Sequence, residues 1–487
     1  MSPTLRLTQL IDGASHAGSD DAAIAVFDPA AAQPYAVCPA GTAADVDDAV
    51  CAANAAFPMW SSLTNDARSA WISKLADALE ARIEDFAQAE SRDAGKPLKL
   101  VREIEIPRAV SNLRFFAAAA TQFASESHHG QAGLNYTLRQ PLGAVACISP
   151  WNLPLYLFTW KIAPALATGN CVVAKPSEVT PVTAWMLGEL AREIGFPAGV
   201  LNIVQGLGPT VGNAMVTHTG IKAVSFTGST AVGRQIAAHC GPTLKKMSLE
   251  LGGKNATLVF ADAFNDNARR ENLLDTVVRS AFQNSGQICL CGSRILIERS
   301  VYGAFRDAFL ERVQKLRVAD PQDAATDLGP LVSQAHYEKV LGCIDLARSE
   351  GGRVLCGGES LKPEGRCASG WFVAPTVIEG LGPDCRSNTE EIFGPVVTLQ
   401  AFDDDEHALS LANATPYGLS ASVWTQQLQR AHHVAAKLQC GIVWVNTWMM
   451  RDLRTPFGGV GQSGLGREGG LDAMRFFTES KNICLRI

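Results

Sequence analysis

Four apolar runs recur in the middle of the chain: GAVACI from Gly143, CVVAK from Cys171, LNIVQ from Leu201 and KAVSF from Lys222. Helical stretches such as 183–194 separate several of them. Short, uninterrupted apolar runs suit strands buried on both faces, and strands alternating with helices join in parallel. The spacing therefore predicts a parallel sheet covered by helices, the setting in which a dinucleotide site is sought. A second alternating region begins near Gly252. It contains NATLVF (255–260), a helix over 273–284, RILIE (294–298), a helix over 302–313, TVIEG (376–380) and GIVWVN (441–446). Two α/β domains of similar size follow, with their boundary near Leu251–Lys254. Before them, residues 1–60 read as short strands and turns followed by a helix around 46–56. Residues 66–90 carry apolar side chains at helical spacing (Trp71, Leu75, Leu79, Ile83, Phe86), and another helical stretch covers 104–125. Residues 127–141 suggest a hairpin, and the tail 476–487 ends in strand-like residues. Both suit arms between protomers, or edge strands of a single one.

The balance of charge narrows the partners. Lys plus Arg number 42 and Asp plus Glu 48, a net charge of −6. That gives no electrostatic reason to expect nucleic acid or an anionic membrane. Residues 140–160 carry no charge, but Pro150, Asn152 and Pro154 interrupt them, so they predict a buried strand, a polar turn and a helix rather than a membrane span. The start, MSPTLRLTQLIDG, lacks a basic segment followed by an apolar run, so no signal peptide is expected and a cytoplasmic location is. The 13 cysteines then read as free thiols. Cys289 and Cys291 form a lone C-x-C, the histidines show no H-E-x-x-H, and no metal site is expected.

Six segments carry chemistry. In FQNSGQICLCGSR (282–294), Cys289 follows a helix and a glycine turn, where an exposed thiol would act as a nucleophile; a free Cys also suits a small buried hydrophobe. In SLELGGKN (248–255), Glu250 ends an apolar run, as a general base of raised pKa or as the partner of Lys245, Lys246 or Lys254. In SPWNLP (149–154), the Asn152 amide and the Cys289 backbone N–H would form an oxyanion hole, unless Asn152 is an ordinary turn residue. In AKPSE (174–178), Lys175 and Glu178 at a strand end would hold ribose hydroxyls. SFTGSTAVG (225–233) puts Gly-Ser at a helix start, where phosphate is favoured. GLGPTVG (206–212) has one spacer too many for G-x-G-x-x-G and reads as a decoy. EEIFGP (390–395) is uninformative alone.

Together with PFGG (456–459), these segments occur in the order found in the aldehyde dehydrogenase superfamily, which the chain resembles over essentially its whole length. The resemblance implies a Rossmann-like NAD-binding domain (1–126 and 142–251), an α/β catalytic domain (252–453) and an oligomerisation arm (127–141 and 470–487) of a homodimer or homotetramer. It implies Cys289 as nucleophile, Asn152 in the oxyanion hole and Glu250 as the base that hydrolyses a thioester. Ser149, Trp151, Lys175, Ser177, Glu178, Gly228, Ser229, Glu391 and Phe393 match cofactor-binding positions. Glu178 would accept hydrogen bonds from both ribose hydroxyls and repel a 2′-phosphate, favouring NAD over NADP. Family members that transfer the acyl group to coenzyme A generally lack the base, so Glu250 favours a free acid as product.

The substrate pocket would be lined by Tyr156 and Trp160, by 106–116 and by 446–459. Arg108 and Arg451 stand out there as a clamp for a carboxylate, or as partners of Glu103, Glu105 or Asp452; Arg114 and Arg454 are weaker candidates. IPR, SPWNLPLYLFTWK and WMMRDLRTPFGG resemble the branch that oxidises muconic semialdehydes, in the kynurenine route of tryptophan catabolism and in aromatic degradation. GQICLCGSR leans towards the 2-aminomuconate 6-semialdehyde members over those acting on 2-hydroxymuconate semialdehyde. A broad aliphatic or betaine-type aldehyde dehydrogenase, with Trp160, Trp448 and Tyr156 as a cage for a cation, is the alternative. A cysteine esterase needing a histidine in space and a cofactor-binding protein without catalysis are further ones.

Overall fold

The computed structural model describes residues 5–17 and 23–486. Two large sheets dominate it. The strands of the first are β1 (Gln9–Ile11), β2 (Ala14–His16), β3 (Ala144–Ile148), β4 (Cys171–Lys175), β5 (Leu201–Ile203), β6 (Ile221–Thr227) and β7 (Lys246–Glu250), with Gly464–Leu465 at one edge. From that edge the order is Gly464–Leu465, β7, β6, β3, β4, β5, β1, β2. The strands from β7 to β5 run parallel, as the apolar runs predict, and β3 and β4 are buried at every residue. The second sheet has the order β10-β11-β12-β9-β8-β13-β14. Its strands are β8 (Ala256–Val259), β9 (Arg294–Glu298), β10 (Arg353–Cys356), β11 (Thr376–Glu379), β12 (Val396–Phe402), β13 (Ser420–Trp424) and β14 (Ile442–Val445). All its pairs are parallel except β10 with β11.

Register explains how distant segments meet. Ile148 of β3 lies opposite Lys175 of β4, and Thr227 of β6 opposite Glu250 of β7. The residues that follow these strands therefore emerge at one edge of the first sheet, where ligands of open parallel sheets bind. In the second sheet Ala256 of β8 lies opposite Arg294 of β9, and Arg294 opposite Thr398 of β12. LGGKN, GQIC and EEIFGP each precede one of these strands. The carboxyl edge of one sheet thus supplies half of the candidate site and the amino edge of the other the rest.

Four helices matter below: α1 (Ile106–Thr121), α2 (Pro154–Ala167), α3 (Thr230–Cys240) and α4 (Gln334–Ser349). Every residue of α2 is buried, which is why its sequence lacks a polar face. The stretch expected as one helix over 66–90 is two, Asn65–Glu80 and Ile83–Ala94, broken at Ala81 and Arg82. The helix around 46–56 is longer, Ala43–Ser62, because Thr42 and Asp45 close a capping box at its start. The 127–141 hairpin forms from Ser127–Gly130 and Gly133–Pro141, and Thr478–Leu485 adds a third strand, from Thr478 opposite Pro141 to Leu485 opposite Leu134. This small sheet is separate from the two large ones. Residues Gly470–Phe476 are a helix with Ala473 and Met474 buried. Among the described residues no helix is long and apolar enough to cross a membrane.

Candidate active site

Cys289 leaves a turn of unusual backbone. Asn284, Ser285 and Gly286 have φ of 55°, 53° and 71°, three left-handed residues in succession. Such conformations cost about 1–3 kcal/mol each for residues with a side chain and persist where surroundings impose them. Gly286 is required, since a Cβ there would lie 2.0 Å from the Gly394 carbonyl oxygen. Gln287 braces the turn: its Oε1 accepts from Val332 N (3.0 Å) and its Nε2 donates to Asn284 O (3.1 Å). Asn255 braces the far side, its Nδ2 donating to Cys289 O (2.7 Å) and Cys291 O (2.9 Å). Asn152, after β3, donates from Nδ2 to Gln287 O (2.9 Å), which uses one of its two amide hydrogens. A cleft of about 230 Å³ results, lined among others by Trp151, Asn152, Ser229, Cys289, Glu391 and Phe393.

Burial pushes the Cys289 thiol well up, and the carboxyls of Glu391 and Glu250 add to this; Arg451 opposes it. Cys291 is likewise pushed up by burial, to about 12. Glu250 is 3% exposed, and neither carboxylate oxygen has a hydrogen-bond partner among the described residues. Burial, then Glu468, raises its pKa well above the ordinary carboxyl range, against Lys161, Arg467 and Arg451. The sequence alternative of an ion pair with lysine is not what forms. Lys245 binds the carbonyls of Val216 and His218, Lys246 the Thr478 carbonyl and Glu479, and the Lys254 ammonium has no hydrogen-bond partner among the described residues. Glu250 does not line the cleft; it sits behind, within the electrostatic field of Cys289 and close to Gly458. Its neighbours Lys161 and Glu468 form a buried ion pair (2.6 Å), and Ser225 Oγ contacts both. Neither was evident from sequence. The one signal was Lys161 as the single charge in the middle of an otherwise apolar helix.

At the carboxyl end of β4, Lys175 Nζ meets Glu178 Oε2 at 2.8 Å. Burial works to raise the Glu178 carboxyl, but Lys175 outweighs it and the group stays below its ordinary value. Glu178 Oε1 also faces the Gly208 N–H (3.5 Å), so the 206–212 segment read as a decoy lies beside this carboxylate. Ser177 Oγ accepts from Val179 N, and Ser149 N continues the strand ladder to Lys175 O. Gly228 N donates to Glu250 O, and Ser229 Oγ caps α3 by accepting from Val232 N. Glu391 Oε1 accepts from Gly253 N at 2.9 Å, and Gly252 has no room for a Cβ against the same carboxylate. Phe393 has φ 63° and its ring meets Trp151 edge-on, with centroids 5.3 Å apart. His336 of α4, also unanticipated, packs on Trp151 and binds the Phe393 carbonyl through Nε2 (2.7 Å); burial lowers its pKa to about 4. Among the described residues no group of three His, Cys, Asp or Glu side chains is placed to hold a metal.

The arginines sort clearly. Arg114 pairs with Asp77 and Glu80, and Arg454 with Asp452, all near the surface, so neither belongs to a clamp. Arg108 and Arg451 form no ion pair with an acid among the described residues; Glu105, one expected partner, binds Lys96. Arg108 lies over the rings of Tyr156 (5.5 Å) and Trp160 (5.8 Å). Arg451 lies over Trp160 (5.4 Å) and Phe457 (4.1 Å) and donates from Nη1 to Tyr156 Oη (2.9 Å). Arg108 Nε and Nη2 and Trp160 Nε1 are buried without hydrogen-bond partners among the described residues. Each such donor costs about 1–3 kcal/mol until an acceptor arrives. The cluster is rich in donors and positive charge and wants an anion, which argues against a cage for a cation.

The described geometry agrees with what comparison finds. The model of the family described as "Aldehyde dehydrogenase family" matches residues 16–483. A 2-aminomuconic semialdehyde dehydrogenase of Danio rerio is 49% identical over 465 residues, 94% of each chain. A 2-hydroxymuconic semialdehyde dehydrogenase of Pseudomonas sp. (strain CF600) is 44% identical, over 91% of this chain and 92% of that one. The structure of an aldehyde dehydrogenase from Bacillus cereus in complex with NAD+ superimposes with a TM-score of 0.95 at 37% identity, over 99% of this chain and 97% of that one. The chain belongs to the aldehyde dehydrogenase family.

Proposed function

We propose that this protein is an NAD-dependent aldehyde dehydrogenase that oxidises a muconic semialdehyde to the acid, with 2-aminomuconate 6-semialdehyde as the favoured substrate. The observation that carries the substrate class is the Arg108–Arg451 pair: neither forms an ion pair among the described residues, Arg108 keeps buried unpaired donors, and Arg451 lies within the electrostatic field of Cys289. A substrate with a carboxylate opposite its aldehyde satisfies those donors bidentately while the aldehyde reaches the thiol. The similarity to 2-aminomuconic semialdehyde dehydrogenases, at 45–49% identity, supports the amino substrate over the hydroxy one, at 42–44%.

The residues fit NAD. The Lys175–Glu178 pair presents a carboxylate to ribose hydroxyls, the capped start of α3 suits the pyrophosphate, and the gap at Gly252 admits the backbone close to Glu391. When bound, NAD supplies the acceptor for the hydride leaving the substrate carbon. The Cys289 thiol gives its proton to solvent and its sulfur adds to the aldehyde carbon as the C=O π bond opens, giving a thiohemiacetal oxyanion. The second Asn152 amide hydrogen and the Cys289 backbone N–H stabilise that oxygen. Loss of hydride leaves a thioester on Cys289. Glu250 takes a proton from water, the hydroxide adds to the thioester carbon, and the C–S bond breaks to release the acid and the thiolate. The strand Thr478–Leu485 with the 127–141 hairpin would serve as an arm of a homodimer or homotetramer. All 13 cysteines are free thiols, which supports a cytoplasmic setting.

Replacing Arg108 or Arg451 by Ala should raise KM for the muconic substrate by about 10–100-fold, each charged hydrogen-bonded pair contributing about 1.5–3 kcal/mol. A neutral aliphatic aldehyde should shift far less; equal shifts in steady-state KM would reject the clamp. For the cofactor, Glu178 with its lowered pKa is ionised at neutral pH and repels a 2′-phosphate. We expect kcat/KM for NAD to exceed that for NADP at least about tenfold, the effect of about 1.4 kcal/mol. Initial rates with the two dinucleotides check this, and equal rates would remove the role assigned to Glu178.

A further inference from the structure

The loop 446–454, which brings Arg451 to the site, is held from two sides by indole nitrogens. Trp444 Nε1 donates to Met450 O (2.8 Å), the carbonyl directly before Arg451. Trp448 Nε1 donates to Leu290 O (2.9 Å), the carbonyl of the residue directly after Cys289. Trp448 is 3% exposed, and Arg279 lies 6.0 Å from its ring. The loop itself is tightly bent: Asn446 and Met449 have φ of 54° and 59°. Asn446 pins its start by exchanging two hydrogen bonds with the backbone of Thr425, and Gly470 N pins its end on Leu453 O. The Trp448 bond is thus a direct tie from the loop of Arg451 to the main chain of the nucleophile. The Arg451 guanidinium is in turn fixed by Tyr156 Oη.

We propose that Trp448 is a positioning residue that sets the distance between Arg451 and the Cys289 sulfur, and so selects substrates by the span between their carboxylate and aldehyde. The proposal rests on the carboxylate clamp above. A semialdehyde of matching span places its carbonyl carbon at the sulfur while its carboxylate sits on the arginine. One of different span must leave one end misplaced, and misplacement by about 1 Å is enough to cost about a hundredfold in rate.

The test uses the full-length enzyme, NAD, and two series of saturated substrates of increasing chain length: ω-oxocarboxylates and neutral n-alkanals. The native enzyme should show an optimum of kcat/KM at one oxocarboxylate length. In Trp448→Phe, which keeps an aromatic ring and removes the N–H, that optimum should flatten. The ratio of kcat/KM for the best oxocarboxylate to that for its matching alkanal should fall about tenfold, mainly through KM. Trp444→Phe, which frees the same loop at Met450, should flatten the optimum in the same way. A uniform loss across both series in Trp448→Phe would make the residue a support of the nucleophile alone and overturn the proposal. An unchanged length profile in both variants would overturn it too. Failure of the clamp itself looks different: the native enzyme would then treat the two series alike, and Arg451→Ala would change neither.

Discussion

Replacing Cys289 by Ala should reduce NADH formation from any aldehyde by at least about 10⁴-fold, the scale seen when an enzyme loses its covalent nucleophile. The thiol leads into β9 from a turn of three left-handed residues, braced by Gln287 and Asn255, and among the described residues no second sulfur lines the cleft. Cys291 is buried, its pKa raised to about 12 by that burial, and it does not line the cleft. Dinucleotide binding, followed by fluorescence, should persist in Cys289→Ala, because none of the residues assigned to the cofactor is disturbed. Initial rates within a hundredfold of the native enzyme would reject Cys289 as nucleophile. The native protein should also react with a thiol reagent faster as pH rises. Burial and the nearby Glu391 and Glu250 keep Cys289 protonated at neutrality, so its thiolate fraction grows with alkalinity. Stopping turnover when the dinucleotide is withheld would also separate this enzyme from a cysteine esterase. Among the described residues the one histidine lining the cleft, His336, is committed through Nε2 to the Phe393 carbonyl.

Glu250→Gln should divide the reaction in two. Formation of the thioester does not need the base, so one equivalent of NADH per active site should appear rapidly. Hydrolysis does need it, and steady turnover should then fall by about 10²–10⁴-fold. Rapid-mixing absorbance shows both phases, and mass spectrometry should find the acyl group on Cys289. Full steady turnover without a burst would exclude Glu250 as the base. The pH dependence follows from the raised pKa of Glu250. Below that pKa the carboxyl is protonated and cannot accept a proton; above it the group is ionised and active. Hydrolysis should therefore rise with pH through a point above the usual carboxylate range, and the limb should vanish in Glu250→Gln.

Much of this was written plainly in the sequence because it depends on local pattern. The apolar runs fixed β3, β4 and β6 to within a residue or two at each end, and Tyr302–Val313 is the helix expected at 302–313. Motif residues gathered because parallel register aligns strand ends. Where the outcome turned on contacts between remote segments, the pattern was silent. Nothing local distinguishes Arg114 from Arg108 on one helix; Asp77 and Glu80, from another helix, claim the first and leave the second free. The Lys161–Glu468 pair joins residues 307 positions apart. The break between Asn65–Glu80 and Ile83–Ala94 has no Gly or Pro to announce it, and Arg82 at the break instead pairs with Glu193. Strands β12 and β13 give little local signal, because Thr398 and Gln400 interrupt the first and Ser420 and Ser422 the second, and short runs of this kind are as consistent with buried helix as with strand.

The opposed sheet edges have an implication for how such a molecule changes its diet. In the function proposed above, the groups assigned to nucleotide and thiol chemistry hang on strand ends, whereas those assigned to the far end of the substrate hang on α1, α2 and the loop after β14. These are separable parts, and a new aldehyde can be accommodated by exchanging the second set while the first stays intact. One tie between them is the bond from the Trp448 indole to the carbonyl of Leu290. A transplanted loop that arrives without an indole at position 448 would carry the right arginine to the wrong place.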